Sequence, residues 1–145
     1  MVKTNPAINE TSTTVFIEDT TVKPVEEENF EYTNLNNALV EIRKTQGVTG
    51  YILKSSTAAT IDLNEPSKLV DYALLTSGII DSSQTIEKLF GTGNVESILI
   101  EGKTTKTLCI IKGENRISIF MEKTANHTDI LKKIETKQAV SKTAP

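Results

Sequence analysis

PSKLVDYALLTSGIIDSSQTIEKLF, residues Pro66–Phe90, is the stretch whose reading decides the fold. It reads as one long helix. Asn64 stands ahead of it as an N-cap. Pro66 falls near the first turn, where a missing N–H costs little. Gly91 or Gly93 ends it. Leu69, Tyr72, Ala73, Thr76, Ile79, Ile80, Ser83, Ile86 and Phe90 make one wide inward stripe at helical spacing. Val70, Leu74 and Gly78 form a second set at i, i+4, i+8, displaced around the cylinder. A helix lying singly on a sheet needs roughly 100° of apolar arc. This one has more, so its second flank needs cover. A partner helix is the preferred cover, a loop or the N-terminal tail the alternative.

Upstream of this helix the chain reads as a helix and two strands. The helix starts at Asn34 as N-cap, places Leu35, Leu39 and Ile42 inward, and stops at Gly47. The first strand is 48–54, with Val48 and Ile52 on one face and Tyr51 and Leu53 on the other. Ser55-Ser56-Thr57 turns into the second strand, 58–63. Downstream come three strands at close spacing, 95–101, 106–112 and 116–122, joined by short turns as an antiparallel meander. Asn126 then caps a last helix with Ile130, Leu131 and Ile134 inward. Several strands are apolar on both faces, which demands helices on both sides of the sheet. The result is an α/β/α three-layer domain of the α+β class with a sheet edge to spare.

Residues 1–29, rich in Thr, Asn and Glu, read as a mostly disordered tail, 30–136 as the domain, and 137–145 as a polar, frayed C-terminal tail. Thr13–Glu18 is either a short strand added to an exposed edge or nothing. A chain of 145 residues suits one domain, and 37% apolar content builds a core without staples. A net charge of −3 argues against a general nucleic-acid binder, and 5% aromatics against base-stacking platforms. A single cysteine fits a reducing compartment. No run approaches the roughly 18 apolar residues of a membrane span, and the N-terminus lacks a signal-peptide core. The expectation is a cytoplasmic protein.

No catalytic constellation stands out. One His and one Cys make a zinc site improbable. His127 reads as an exposed first-turn residue, and Cys109, mid-strand among aliphatic neighbours, as a buried structural thiol. Gly91-Thr92-Gly93-Asn94 follows a helix and precedes a strand, the reverse of the order that aims helix amides at phosphate. Gly47-Val48-Thr49-Gly50 opens a strand, so it is no dinucleotide fingerprint. The expectation is no enzyme, no cofactor and no metal.

The order helix–strand–strand–long helix–three strands–helix resembles the roadblock family, named for its dynein light-chain members. The likeness rests on Gly47-Val48-Thr49-Gly50-Tyr51-Ile52-Leu53, on Leu69–Phe90 leading into Val95–Gly102, and on the closing hairpin to Phe120-Met121 with Asn126–Ile134. Longin and profilin-like domains have related layouts. One departure is Ser55-Ser56-Thr57, where the family often shows an Asp-and-Gly turn. The resemblance implies a five-stranded antiparallel sheet with the third strand, 95–101, at an edge. It implies the long helix on one face and the other two helices on the opposite face. Roadblock-like proteins usually dimerise through that edge and the long helix, and present a platform to small Ras-like GTPases.

The residues agree with that implication. An edge bearing Ile98, Leu99 and Ile100, with no Pro or Lys inside it, is an aggregation hazard in a monomer. Val70, Leu74 and Gly78 would pack beside their symmetry mates. The expected function is a non-catalytic homodimeric regulator or adaptor of a small Ras-like GTPase. The partners would be a second copy or another roadblock-type subunit, and the GTPase. The alternatives are a light-chain-like scaffold subunit without nucleotide dependence, and a longin- or profilin-like ligand-sensing module.

Overall fold

The computed structural model describes residues 12–16 and 26–143, with side chains from 30 to 136. In chain order the elements are β1 (Ser12–Phe16), α1 (Glu26–Arg43), β2 (Val48–Lys54), β3 (Ala58–Leu63), a 3-10 turn (Pro66–Lys68), α2 (Leu69–Phe90), β4 (Ser97–Glu101), β5 (Thr105–Lys112), β6 (Asn115–Glu122) and α3 (His127–Thr143). The strands form one antiparallel sheet in the order β1-β3-β2-β6-β5-β4. The strands from β3 to β4 are the expected five, and β4, the third of them in sequence, lies at an edge. The open question over Thr13–Glu18 resolves into β1, added to β3 with Ser12 opposite Asp62 and Phe16 opposite Ala58. Residues 17–18 of that segment lie outside the described residues.

Strand alternation divides the core between two faces. Tyr51 and Leu53 of β2, Leu108 and Ile110 of β5, and Ile117, Ile119 and Met121 of β6 meet Leu35, Leu39 and Ile42 of α1 and Ile130 and Ile134 of α3. This is the main core, and its members are almost all fully buried. The opposite face holds a smaller cluster of Ile52, Leu63 and Phe120, with Ile61, Leu69 and Tyr72 packed against it. The Tyr72 ring stacks on Phe120 with centroids 4.3 Å apart. Helices therefore cover both faces, as doubly apolar strands require. Cover by α2 is much the thinner.

Several boundaries differ from the sequence reading. The first helix begins at Glu26 rather than after Asn34, because Glu26-Glu27-Glu28 are good helix formers that extend it upstream. Asn34 is thus inside the helix, and its Nδ2 is buried with no partner. That helix ends at Arg43, short of Gly47, which takes a φ of 92° in the turn before β2. A β-bulge between Val48 and Gly50 turns Val48 onto the face of Tyr51 and Leu53. Asn64 does not cap α2. Its side-chain oxygen accepts from Arg43, and the 3-10 turn intervenes before α2. The strand expected from Val95 starts at Ser97. The Val95 N–H is taken instead by the Glu87 carboxylate, 2.8 Å away. Helix α3 runs to Thr143, through most of the expected C-terminal tail.

Other expectations hold. Gly91 closes α2 at φ 60°, its N–H donating to the Glu87 carbonyl at 3.0 Å. Asn126 caps α3 through Oδ1, which accepts from the Asp129 N–H at 3.0 Å. Gly50 is a residue whose need was not legible. A Cβ there would lie 2.6 Å from the Asp62 carbonyl oxygen on β3.

Candidate interaction surface and an adjoining groove

Among the described residues, edge strand β4 hydrogen-bonds to β5 on one side only, from Ser97 opposite Ile110 to Glu101 opposite Lys106. Alternation sends its predicted interface residues to different faces. Leu99 is half-buried and packs onto the main core under α1 and α3. Ile98 and Ile100 stand on the α2 face, Ile98 half-buried beside Cys109 and Ile100 exposed beside Thr107.

Helix α2 carries an apolar surface that the other described residues leave open. Val70 is 67% exposed and Leu74 68%, and nothing lies within 4 Å of a Cβ added at Gly78. These are the predicted flank residues, and all three face outward. The surface is wider than the sequence reading drew it. Leu75, Ile86, Leu89 and Phe90 are exposed too, Leu89 and Phe90 by 72% and 73%. Ala73, Ile86 and Phe90 belong to the expected inward stripe but are exposed, and only Ile79 and Ser83 of α2 are fully buried. At 100° per residue, the arc from Val70 through Leu74, Gly78, Leu89 and Leu75 to Ile86 spans about 160°. Asp71, Asp81, Ser82, Thr85 and Lys88 fall within the same arc, so its apolar residues are set among polar ones. The signal that could have found Leu75 and Leu89 was the count itself: too many large apolar residues for one contact stripe.

The residues weighed for chemistry are built into the scaffold. Cys109 is buried, with Sγ 3.4 Å from Ser118 Oγ, and burial pushes its thiol pKa up despite that hydrogen bond. His127 is half-buried rather than exposed. Its Nδ1 lies 3.0 Å from the Lys106 Nζ, within hydrogen-bond distance. Arg43 is half-buried and clasps three groups. Its Nε lies 3.3 Å from Asp62 Oδ1, Nη1 donates to the Val48 carbonyl at 3.0 Å, and Nη2 donates to Asn64 Oδ1. The clasp ties the end of α1 to β2 and β3. Burial raises the Tyr32 phenol as well, although its hydroxyl bonds to Thr60 Oγ1. Among the described residues no group of three or more His, Cys, Asp or Glu side chains is placed to hold a metal ion. Among them, too, no helix is long and apolar enough to cross a membrane.

On the flank of α2 away from Leu75 and Ile86, a groove of about 420 Å3 opens between the helix and the ends of β2 and β6. Ile52, Ala73 and Ile80 give it apolar walls, and Lys54, Asp81 and Arg116 bring charge to it. Arg116 is held by its Nη1, which donates to the carbonyls of Gly113 at 2.8 Å and Asn115 at 3.3 Å.

Comparison with known proteins finds no matching family model and no matching curated protein. Solved structures do match. A Roadblock/LC7 domain from Streptomyces avermitilis superposes with a TM-score of 0.58 at 14% identity, over 74% of this chain and 88% of that one. The gliding protein MglB from Thermus thermophilus gives 0.60 at 18% identity, over 83% and 92%. Myxococcus xanthus MglB gives 0.60 at 15% identity, over 74% and 90%. The fold is that of a roadblock-type domain.

Proposed function

We propose, from the premise of a roadblock-type fold, that this chain is a non-catalytic homodimeric regulator or adaptor of a small Ras-like GTPase. Two observations support the dimer: β4 stands at a sheet edge among the described residues, and α2 carries exposed apolar residues. Two copies related by a two-fold axis would pair their β4 edges and continue the sheet. The same operation would lay one α2 beside the other, with Leu74, Leu75 and Leu89 between them and Gly78 allowing close approach. Such pairing removes an exposed strand edge and a greasy helix face in one step.

The GTPase assignment follows from what roadblock-like proteins usually do, and the chain's arginines bear on how. Arg43 is committed to its clasp and Arg116 is anchored by the β5–β6 turn. Arg43 is thus no free arginine finger, and Arg116 is held at one end of its guanidinium. A regulatory effect would then come from ordering the GTPase's own catalytic residues.

The test is a capture from native extract with the tagged full chain, run in parallel with GDP and with a non-hydrolysable GTP analogue. A small GTPase enriched in one nucleotide state is the expected result. Equal recovery of partners in both states, or recovery of roadblock-type subunits alone, would replace this reading with that of a scaffold subunit.

A further inference from the structure

The groove beside α2 carries an inference independent of the GTPase reading. Lys54 and Arg116 are direct cross-strand partners on β2 and β6. Like charges placed opposite one another in a sheet are destabilising unless something offsets them. Asp81 on α2 and Glu114 in the β5–β6 turn line the same groove. Yet neither pairs with either cation. The ion pairs among the described residues are Arg43–Asp62, Lys44–Glu41 and Lys68–Glu65. Two positive and two negative groups thus meet around one apolar-walled groove without neutralising each other.

Two further details concern what could sit between them. The Arg116 guanidinium is fixed through Nη1, which leaves Nε and Nη2, its side-on fork, without a partner among the described residues. That fork matches a carboxylate in two parallel hydrogen bonds. The Thr76 hydroxyl, on the α2 wall, is buried with no hydrogen-bond partner. Its oxygen has almost no exposed surface, so a ligand in the groove would meet it only after rotation of the Thr76 side chain.

We propose that this groove binds a small zwitterion with an apolar body, the chemistry of a free aliphatic amino acid. The carboxylate lies on the Arg116 fork with Lys54 beside it, and the ammonium faces Asp81 or Glu114. The aliphatic part rests on Ile52, Ala73 and Ile80. A multiply charged phosphate fits less well, because the two carboxylates oppose it.

Isothermal titration of the full chain with L-leucine, 4-methylpentanoate, isoamylamine and inorganic phosphate tests the proposal. L-Leucine should bind, at least tenfold more tightly than either singly charged analogue. Arg116→Gln and Arg116→Lys should each weaken it at least tenfold, the lysine because it lacks the fork. Thr76→Val, which keeps the side-chain shape, should weaken it several-fold, so the proposal does not rest on Arg116 variants that disturb the turn. Circular dichroism identifies any variant that fails to fold. No binding of L-leucine at 10-millimolar levels (roughly a −2.7 kcal/mol limit on affinity) would overturn the proposal. So would phosphate or 4-methylpentanoate binding as tightly as L-leucine, or binding unchanged in both the Thr76 and Arg116 variants.

Discussion

Cys109 of β5 and Ser118 of β6 are opposite one another in register, buried beneath α2, with Sγ and Oγ 3.4 Å apart. Burial disfavours the thiolate and raises the thiol above its ordinary 9.0. The linkage sign follows. Below pH 9.0 the thiol is neutral folded and unfolded, so the burial costs nothing. Above it the unfolded chain loses the proton while the folded one keeps it, which favours unfolding. Tyr32, raised by burial above 10.0, acts in the same direction one step higher. Denaturant midpoints measured from about pH 7 to about pH 11 should therefore hold level to about pH 9 and then fall. Cys109→Ala should postpone the onset to the tyrosine range. A variant whose midpoint falls as early as that of the parent would show that another group drives the loss. The same burial should leave Cys109 almost inert to alkylating reagents at neutral pH.

At the scale of elements, the proposed dimer uses both the exposed arc of α2 and the edge of β4, so variants on each should act alike. Leu74→Glu places a charge on the helix flank, and Ile100→Lys places one on the strand edge. Leu74 is 68% exposed and Ile100 42%, so the monomer's own packing hardly depends on either. Ile98→Lys is a less selective variant, because Ile98 is half-buried against its own chain. Each of the first two should weaken self-association by roughly two orders of magnitude, about 3 kcal/mol, while far-ultraviolet circular dichroism stays unchanged. Light scattering that returns the parent's mass for both would remove β4 and α2 from the interface. The existence of these elements was legible in the sequence because the period changes sharply, from alternation in β2 and β3 to the 3.6 spacing of Leu69, Tyr72 and Ile79. The edge position of β4 was not legible from the residues themselves and came through the roadblock resemblance. The inward or outward fate of Ile86 and Phe90 was not legible either. Helical spacing fixes which residues share a face, but the tilt of α2 over the sheet decides which face is covered at its C-terminal end. The groove went unseen for a related reason. Its charges come from the end of β2, the middle of α2 and the β5–β6 turn, and only the β2–β6 register brings Lys54 opposite Arg116.

The whole molecule has two sheet edges of different character, and that asymmetry constrains how it assembles. One edge is β4, with no strand beyond it among the described residues. At the other, β1 covers β3 along nearly its full length, Ala58 to Asp62 each facing a β1 residue. A chain with two equally sticky edges would add copies head to tail without limit, whereas one dominant edge closes after a single two-fold pairing. In this view β1 is the element that confines association to β4. Removing residues 1–20 tests it. The shortened chain should still associate through β4, because β1 lies at the far side of the sheet. It should also form larger species as concentration rises, because the uncovered β3 edge, Ala58–Leu63, is longer than the five-residue β1 edge, and neither contains Pro or Lys. Light scattering across a concentration series reads both effects at once. A shortened chain that is monomeric would place β1 in the interface, and one that stays dimeric at every concentration would mean that β1 guards nothing. The first outcome would also move the proposed two-fold axis to the opposite edge. The exposed arc of α2 would then be left to meet a different partner.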